Sequence, residues 1–401
     1  MAGFMGSSRN VWFTRRRCNA WVALVGFACV LFVQLAAADT EGSPKYVSDA
    51  RGQRPTPLVA IENVCAWPNL TVMRDGSIIA TIFNQPSHGE SAGDIECWAT
   101  EDGGSTWAKR GAAAVHDSED SNRMHAAAGL ATNGDLLVIT TGCGGQSKAG
   151  RAFRGRIEPV WISRSSDGGR SWAVDKKGFP SLPTGEAVIP FGDILPGHDG
   201  CLRVSMYAQR KYGGQMPYVF RSCDDGRTWG EPVAVAEHGH EAALLHLAAG
   251  TWLAAVRDNG LSLHRSDDDG RTWGIRKNLT DVWQHPGHLT RLRDKRLLLS
   301  YGNRMAPDGT DGNRTAPGGV DVRFSSDEGR SWTEPSRVVD CSGDRGYPSS
   351  VQLPDGRILT VYYAGELDNG RPAGQQTRQA VRPGGGNYHM GAVVWDPQSP
   401  R

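Results

Sequence analysis

Three stretches of this 401-residue chain gather side chains able to pass a proton, attack as a nucleophile or grip an anion. The loop from Asn84 to Glu96 carries His88, Glu90 and Asp94, types that serve as general acids and bases. Glu241 and Arg257 stand sixteen residues apart and bracket Leu244, Leu245 and an Ala249-Gly250 turn. The stretch Asp344-Arg-Gly-Tyr347-Pro-Ser-Ser350 leads through an Asp355-Gly356 turn into the apolar run Ile358 to Tyr363. A phenol with a pKa near 10 attacks at neutral pH only with a general base beside it. Taken singly, each residue has a plainer reading: an exposed loop carboxylate, a strand-end glutamate, a surface cation.

Other chemistries lack their patterns. The eleven histidines include His238-Gly-His240 and His285-Pro-Gly-His288 but no H-E-x-x-H, so no metal is expected. A phosphate-binding Walker loop, a dinucleotide fingerprint after a strand and a G-x-S-x-G elbow are all missing from the sequence, so no cofactor is expected. With 44 basic and 43 acidic side chains the net charge is +1, which gives no reason to expect a nucleic-acid partner.

The elements that must position these residues announce themselves by repetition. The phrase [ST]-x-D-x-G-x-[ST]-W occurs at Thr100–Trp107, Ser165–Trp172, Ser222–Trp229, Ser266–Trp273 and Ser325–Trp332. Five copies of a five-point pattern are an internal repeat. Each copy reads as a turn between strands: the hydroxyl and the Asp carboxylate bond nearby backbone N–H groups. Gly takes a positive φ, and Trp buries its rings beside the next strand. The Asp267–Gly270 stretch looks faintly like a calcium loop, but no ligand-spaced Glu follows. A second repeat, an apolar pair, a tight turn and an apolar strand, has its turns at Asp75-Gly76, Asn133-Gly134, Asp199-Gly200, Ala249-Gly250, Asp294-Lys295 and Asp355-Gly356. Short alternating runs such as Ile78–Phe83, Leu136–Thr140, Leu202–Tyr207 and Ile358–Tyr363 read as strands. Six units of roughly 60 residues are the size of four-stranded propeller blades, so the expected fold is all-β, a six-bladed β-propeller. Ala392–Trp395 is expected to supply a last outer strand, with the segment before Ile61 closing the ring.

Residues 1–38 read as a signal peptide, with Arg15, Arg16 and Arg17 before an apolar stretch from Ala20 to Leu35 and small residues at Ala36–Ala38. A retained N-terminal anchor facing outside is the alternative. No later apolar run is long enough to span a bilayer, so the expectation is a secreted or periplasmic protein. Residues 39–57 read as an N-terminal linker, 58–401 as the propeller and 366–387 as a long loop within it. Of the six cysteines after the leader, Cys65 with Cys97 and Cys201 with Cys223 each fall inside one repeat, as disulfide pairs or as buried thiols.

The repeated phrase resembles the Asp-box of the sialidase (neuraminidase) superfamily, in which it holds the outer hairpin of each blade away from the active site. The resemblance spans about residues 60 to 363 and implies an exported exo-glycoside hydrolase acting on sialic acid or a related acidic sugar, with a glycan as partner. It places the family's nucleophilic tyrosine on Tyr347, its base on Glu241 and one carboxylate-binding arginine on Arg257. Sialidases use tyrosine where most glycosidases use a carboxylate. Pro348 follows Tyr347 where the family usually has serine. For a third arginine, Tyr301-Gly-Asn-Arg304 is the favoured match, with Arg314 and Arg323 as competitors. The first arginine's position holds Ala66; Arg74 is expected to point outward, and Arg123 is a candidate substitute. The acid/base falls in the loop after the first inner hairpin, at Asp94 by order, with His88 and Glu90 as alternatives. A propeller hydrolase on a non-sialic glycan and a non-catalytic glycan- or protein-binding propeller are the rival functions.

Overall fold

The computed structural model describes residues 44–146, 152–209, 214–304, 318–341, 345–365 and 388–398. The expected leader, Arg314 and the loop 366–387 lie outside the described residues. Those described form strands, turns and loops without a helix, and none of them provides a helix long and apolar enough to cross a membrane.

After β1 (Leu58–Glu62), the strands β2 (Cys65–Val72), β3 (Ile78–Phe83), β4 (Ile95–Thr100) and β5 (Ala108–Ala114) form an antiparallel sheet in chain order. The next set is β6 (His125–Leu130) and β7 (Leu136–Thr141), a two-stranded ribbon of β8 (Cys143–Gln146) and β9 (Ala152–Ile157), then β10 (Trp161–Ser165) and β11 (Ala173–Asp175). A third contains β12 (Val188–Pro196), β13 (Leu202–Gln209), β14 (Gln215–Ser222) and β15 (Gly230–Ala234). A fourth contains β16 (Ala242–Ala248), β17 (Thr251–Arg257), β18 (Leu261–Ser266) and β19 (Gly274–Asn278). The fifth is β20 (Gln284–Arg291), β21 (Leu297–Asn303), β22 (Gly318–Ser325) and β23 (Ser336–Cys341). The last joins β24 (Arg345–Gln352), β25 (Ile358–Ala364) and β26 (His389–Trp395) to β1, so the outermost strand comes from the start of the unit. Sheets two and three are continuous, because β6 and β12 pair in parallel through Ala127–Gly129 and Gly192–Ile194.

The six tight turns stand where the second repeat puts them, each joining the first two strands of its set. Gly76, Gly134, Gly200, Gly250, Lys295 and Gly356 all have positive φ. The Asp-boxes join the third strand to the fourth in the first five sets. Their hydrogen bonds repeat almost identically. In the third, Ser222 Oγ donates to Asp224 at 2.8 Å and accepts the Gly226 N–H at 2.8 Å, Asp224 accepts the Thr228 N–H at 2.9 Å, and Trp229 Nε1 donates to the Gly226 carbonyl at 3.2 Å. The box glycines take φ between 81° and 98°, a region costly for any residue with a Cβ. Asp267 is spent on Arg265 and Thr251, Asp268 is the box carboxylate, and Asp269 accepts from Trp252 Nε1 at 2.6 Å, so all three carboxylates already have partners.

The apolar cores lie between sheets in cyclic order. Phe83 and Ile95 pack with Leu136 and Val138, Leu137 and Ile139 with Leu202 and Val204, and Val219 with Leu244 and Trp252. Leu253 and Leu263 pack with Leu289 and Leu299, and Leu298 and Val322 with Ile358 and Trp395. Val351, Leu359 and Met390 then pack on Leu70, Ile78 and Ile82 of the first sheet. The first strands of the sets follow the same order, β2 against β6, β6 against β12, onward to β24, and β24 against β2.

Cys201 and Cys223 form a disulfide. Cys65 and Cys97 do not; both are buried thiols. They lie among the apolar side chains of one core cluster, and burial pushes the Cys97 thiol far up.

Candidate active site

The sixteen-residue spacing of Glu241 and Arg257 is a hairpin register. β16 and β17 pair Ala242 with Val256 around the Ala249-Gly250 turn, so Glu241 and Arg257 come next in line, and the Arg257 N–H donates to the Glu241 carbonyl at 2.8 Å. Tyr347 arrives from the other end of the sequence. β24 loses register with β25 between Gly346 and Ser349, and in this irregular stretch Tyr347 takes a φ of 49°. Residues in that region are uncommon and cluster where a side chain must be aimed.

The three side chains meet. Tyr347 O–H donates to Glu241 Oε1 at 2.6 Å, and Arg257 Nη1 donates to Tyr347 Oη at 2.9 Å and to both Glu241 oxygens at 3.0 and 3.1 Å. Burial alone would raise the Glu241 carboxyl, but the Arg257 guanidinium, aided by His240 with Nδ1 3.4 Å from Oε2, holds it well below the usual carboxylate range. Burial, and then the charge of Glu241, push the Tyr347 phenol well above 10. Burial would lower Arg257; Glu241 and Tyr347 outweigh it and raise it. At rest the site therefore holds a neutral phenol, a carboxylate and a guanidinium.

Arg304 joins them. Its Nε–H donates to the Arg345 carbonyl at 3.1 Å, and its guanidinium carbon lies 5.6 Å from the Tyr347 ring centroid. Arg323 is beside Tyr301 instead. His285 lies within the field of both arginines; burial first, then Arg257 and Arg304, lower its pKa to about 2, so it is neutral. Aromatic rings enclose the phenol: Trp67 at 5.1 Å, Tyr363 at 5.7 Å and Phe191 at 6.1 Å between centroids. Tyr347 is only 6% exposed. The cleft bordered by Trp67, Phe191, His288, Tyr347 and Ser349 has a volume of about 20 Å³.

The proton-transfer candidates divide. Asp94 is half-buried; its Oδ1 lies 2.6 Å from His116 Nδ1 and accepts the His116 N–H at 2.9 Å, while Asn84 bonds its backbone and side chain. These ties fix Asp94 against Asn84 and His116. His88 is edge-on to Trp67 at 5.4 Å and to Tyr363 at 6.4 Å, and Glu90 is exposed. Neither candidate for the first arginine reaches the site. Arg74 is exposed and donates to the backbone of Thr132 and Asn133. Arg123 is fully buried, its guanidinium 3.3 Å from the Trp161 ring centroid and bonded to the Pro159 carbonyl at 2.7 Å. Nothing in the sequence pattern places Trp67, Phe191, Tyr363 and His285 around Tyr347; the only hint at Trp67 was its place next to Ala66.

The model of the BNR repeat-like domain matches residues 76–361. No curated protein sequence matches the chain. Among solved structures, a Dyadobacter fermentans protein of unknown function aligns with a TM-score of 0.66 and 22% identity, over 85% of this chain and 97% of its own. The Hadza microbial sialidase Hz136 aligns at 0.60 and 18%, over 83% of this chain and 65% of its own. Trypanosoma rangeli sialidase with the inhibitor DANA aligns at 0.59 and 16%, over 88% and 57%. The likeness to the two sialidases is one of fold, and the chain spans less than two-thirds of either.

Proposed function

The chain belongs to the BNR repeat-like domain family, and from that premise we propose that it is an exported, sialidase-like exo-glycoside hydrolase acting on a terminal sialic acid or a related acidic sugar. Residues 1–38 are its signal peptide, 39–57 a linker, and 58–401 one six-bladed β-propeller. The cyclic packing of six strand sets supports the propeller. The observation that carries the activity is the Tyr347 hydroxyl 2.6 Å from Glu241 and 2.9 Å from Arg257.

In this reading Tyr347 Oη attacks the anomeric carbon while Glu241 takes its proton, and the sugar–oxygen bond to the leaving group breaks. A neutral phenol avoids the repulsion that a carboxylate nucleophile would meet in approaching an anionic sugar. Glu241, held ionised by Arg257, is ready to receive the proton, and the phenol gains acidity as its new bond forms. Asp94 protonates the departing oxygen and then deprotonates the water that releases the glycosyl–tyrosine, giving retention; His88 and Glu90 are the alternatives. Arg304 and the remaining N–H groups of Arg257 hold the substrate carboxylate, since guanidinium forks suit its planar oxygens and keep their charge.

The test is hydrolysis of a fluorogenic sialoside by the wild type, Tyr347→Phe and Asp94→Asn. Turnover that vanishes in Tyr347→Phe and falls in Asp94→Asn supports the reading; full turnover in Tyr347→Phe refutes it. The enclosure of Tyr347 by Trp67, Phe191 and Tyr363 favours a second reading, a glycan-binding propeller without turnover, which binding of sialosides with no hydrolysis would establish. Ala66 at the first arginine's position favours the same chemistry on a non-sialic sugar, which release of another monosaccharide would reveal.

A further inference from the structure

We propose that Trp67 is the specificity-determining residue at the corner where a sialidase would place its first arginine, and that its indole N–H binds the sugar's acidic group as a neutral donor. This rests on the hydrolase reading and narrows its substrate. The chain places Ala66 at the arginine's position, and the guanidiniums of Arg74 and Arg123 are committed elsewhere. Next to Ala66, β2 loses register with β3 between Cys65 and Asn69, and Trp67 takes a φ of 64°. From that irregular stretch the indole packs on the nucleophile. The ring lies parallel to His125 at 4.9 Å and packs on Tyr347 at 5.1 Å.

Trp67 Nε1 is buried and has no hydrogen-bond partner among the described residues. A buried unpaired donor is destabilising, and phenylalanine would fill the same wall without it. Arg257 Nε is likewise buried and without a partner among the described residues, while Nη1 bonds Tyr347. Two unsatisfied donors thus border Tyr347, one cationic and one neutral. A neutral donor favours a carboxylate over an uncharged acceptor less than a guanidinium does. The substrate class is a terminal sugar with a carboxylate, which Arg257 and Arg304 grip as cations and Trp67 as a neutral donor.

The experiment titrates the wild type, Trp67→Phe, Trp67→His and Trp67→Arg with DANA and with its carboxamide. The wild type binds DANA more tightly than the carboxamide, because Arg257 and Arg304 favour the charged acid. Trp67→Phe weakens DANA by about tenfold or more, Trp67→His returns a donor on a flat ring and recovers part of the loss, and Trp67→Arg increases the preference for the acid. Wild-type affinity for DANA in Trp67→Phe, or equal losses in the Phe and His variants, overturns the assignment alone. Failure of the wild type to bind either probe overturns it together with the hydrolase reading.

Discussion

Glu241→Gln removes the charge at the centre of the site while keeping the side chain's shape. Glu241 is 6% exposed, accepts the Tyr347 O–H at 2.6 Å and receives Arg257 Nη1 at 3.0 and 3.1 Å. Breaking one side of a buried ion pair costs ~3–5 kcal/mol. Because the Arg257 side chain keeps 18% of its surface in solvent and the amide oxygen still accepts, the expected loss is about 3 kcal/mol. The phenol moves in a second, independent way. In the wild type, burial and then Glu241 raise the Tyr347 pKa, while Arg257 and Arg304 lower it. Without the carboxylate only burial opposes the two guanidiniums, so the phenol ionises at lower pH in the variant than in the wild type. Loss of a general base should also cut turnover by ~10²–10⁴-fold. Denaturant unfolding reads the stability, and tyrosinate absorbance against a Tyr347→Phe background reads the phenol. A variant as stable and as active as the wild type, or a phenol that ionises no earlier, would refute the reasoning.

The Asp-boxes predict an acid limb of stability. Asp102, Asp224, Asp268 and Asp327 have folded pKa values of about 2 against an ordinary 3.8. Bonds from Thr106 and Ser331 dominate at Asp102 and Asp327; at Asp224 and Asp268 partial burial opposes, and bonds from Thr228 and Thr272 prevail. Groups with lowered pKa values stabilise above the unfolded value and lose that contribution as pH falls through the folded one. Unfolding free energy should therefore decline between about pH 4 and 2, and Asp224→Asn should flatten that decline without altering turnover near neutrality; an unchanged slope counts against the box as the source. Replacing Cys201 and Cys223 by serine should cost about 2–4 kcal/mol and leave the activity intact, measured by denaturant midpoint and hydrolysis rate. Loss of activity in the folded double variant would mean that this sheet does more than support.

What was legible in the sequence is what local chemistry determines. An Asp-box closes on itself within eight residues, as Ser222 through Trp229 does, so each copy carries its own structure. The Glu241–Arg257 pair was legible because a hairpin converts a spacing into a contact. Tyr347 needed a partner 106 residues away, and only the family resemblance supplied the link. Contacts between sheets were not legible. Arg123 looked available until Trp161 and the Pro159 carbonyl were seen to hold it, and Cys65 and Cys97 looked pairable until both appeared inside an apolar core. Trp67 packs on Tyr347 from a stretch where β2 slips register, and a slip of register leaves no pattern in the residues themselves.

The most direct measurement is to incubate the protein with 2,3-difluorosialic acid, which forms a covalent intermediate with Trypanosoma rangeli sialidase, and to map the product by mass spectrometry. The account predicts one glycosyl adduct on the peptide carrying Tyr347, missing in Tyr347→Phe and slow to form in Glu241→Gln. An adduct on another residue, or saturable binding with no adduct at all, would contradict the claim that this phenol is the nucleophile.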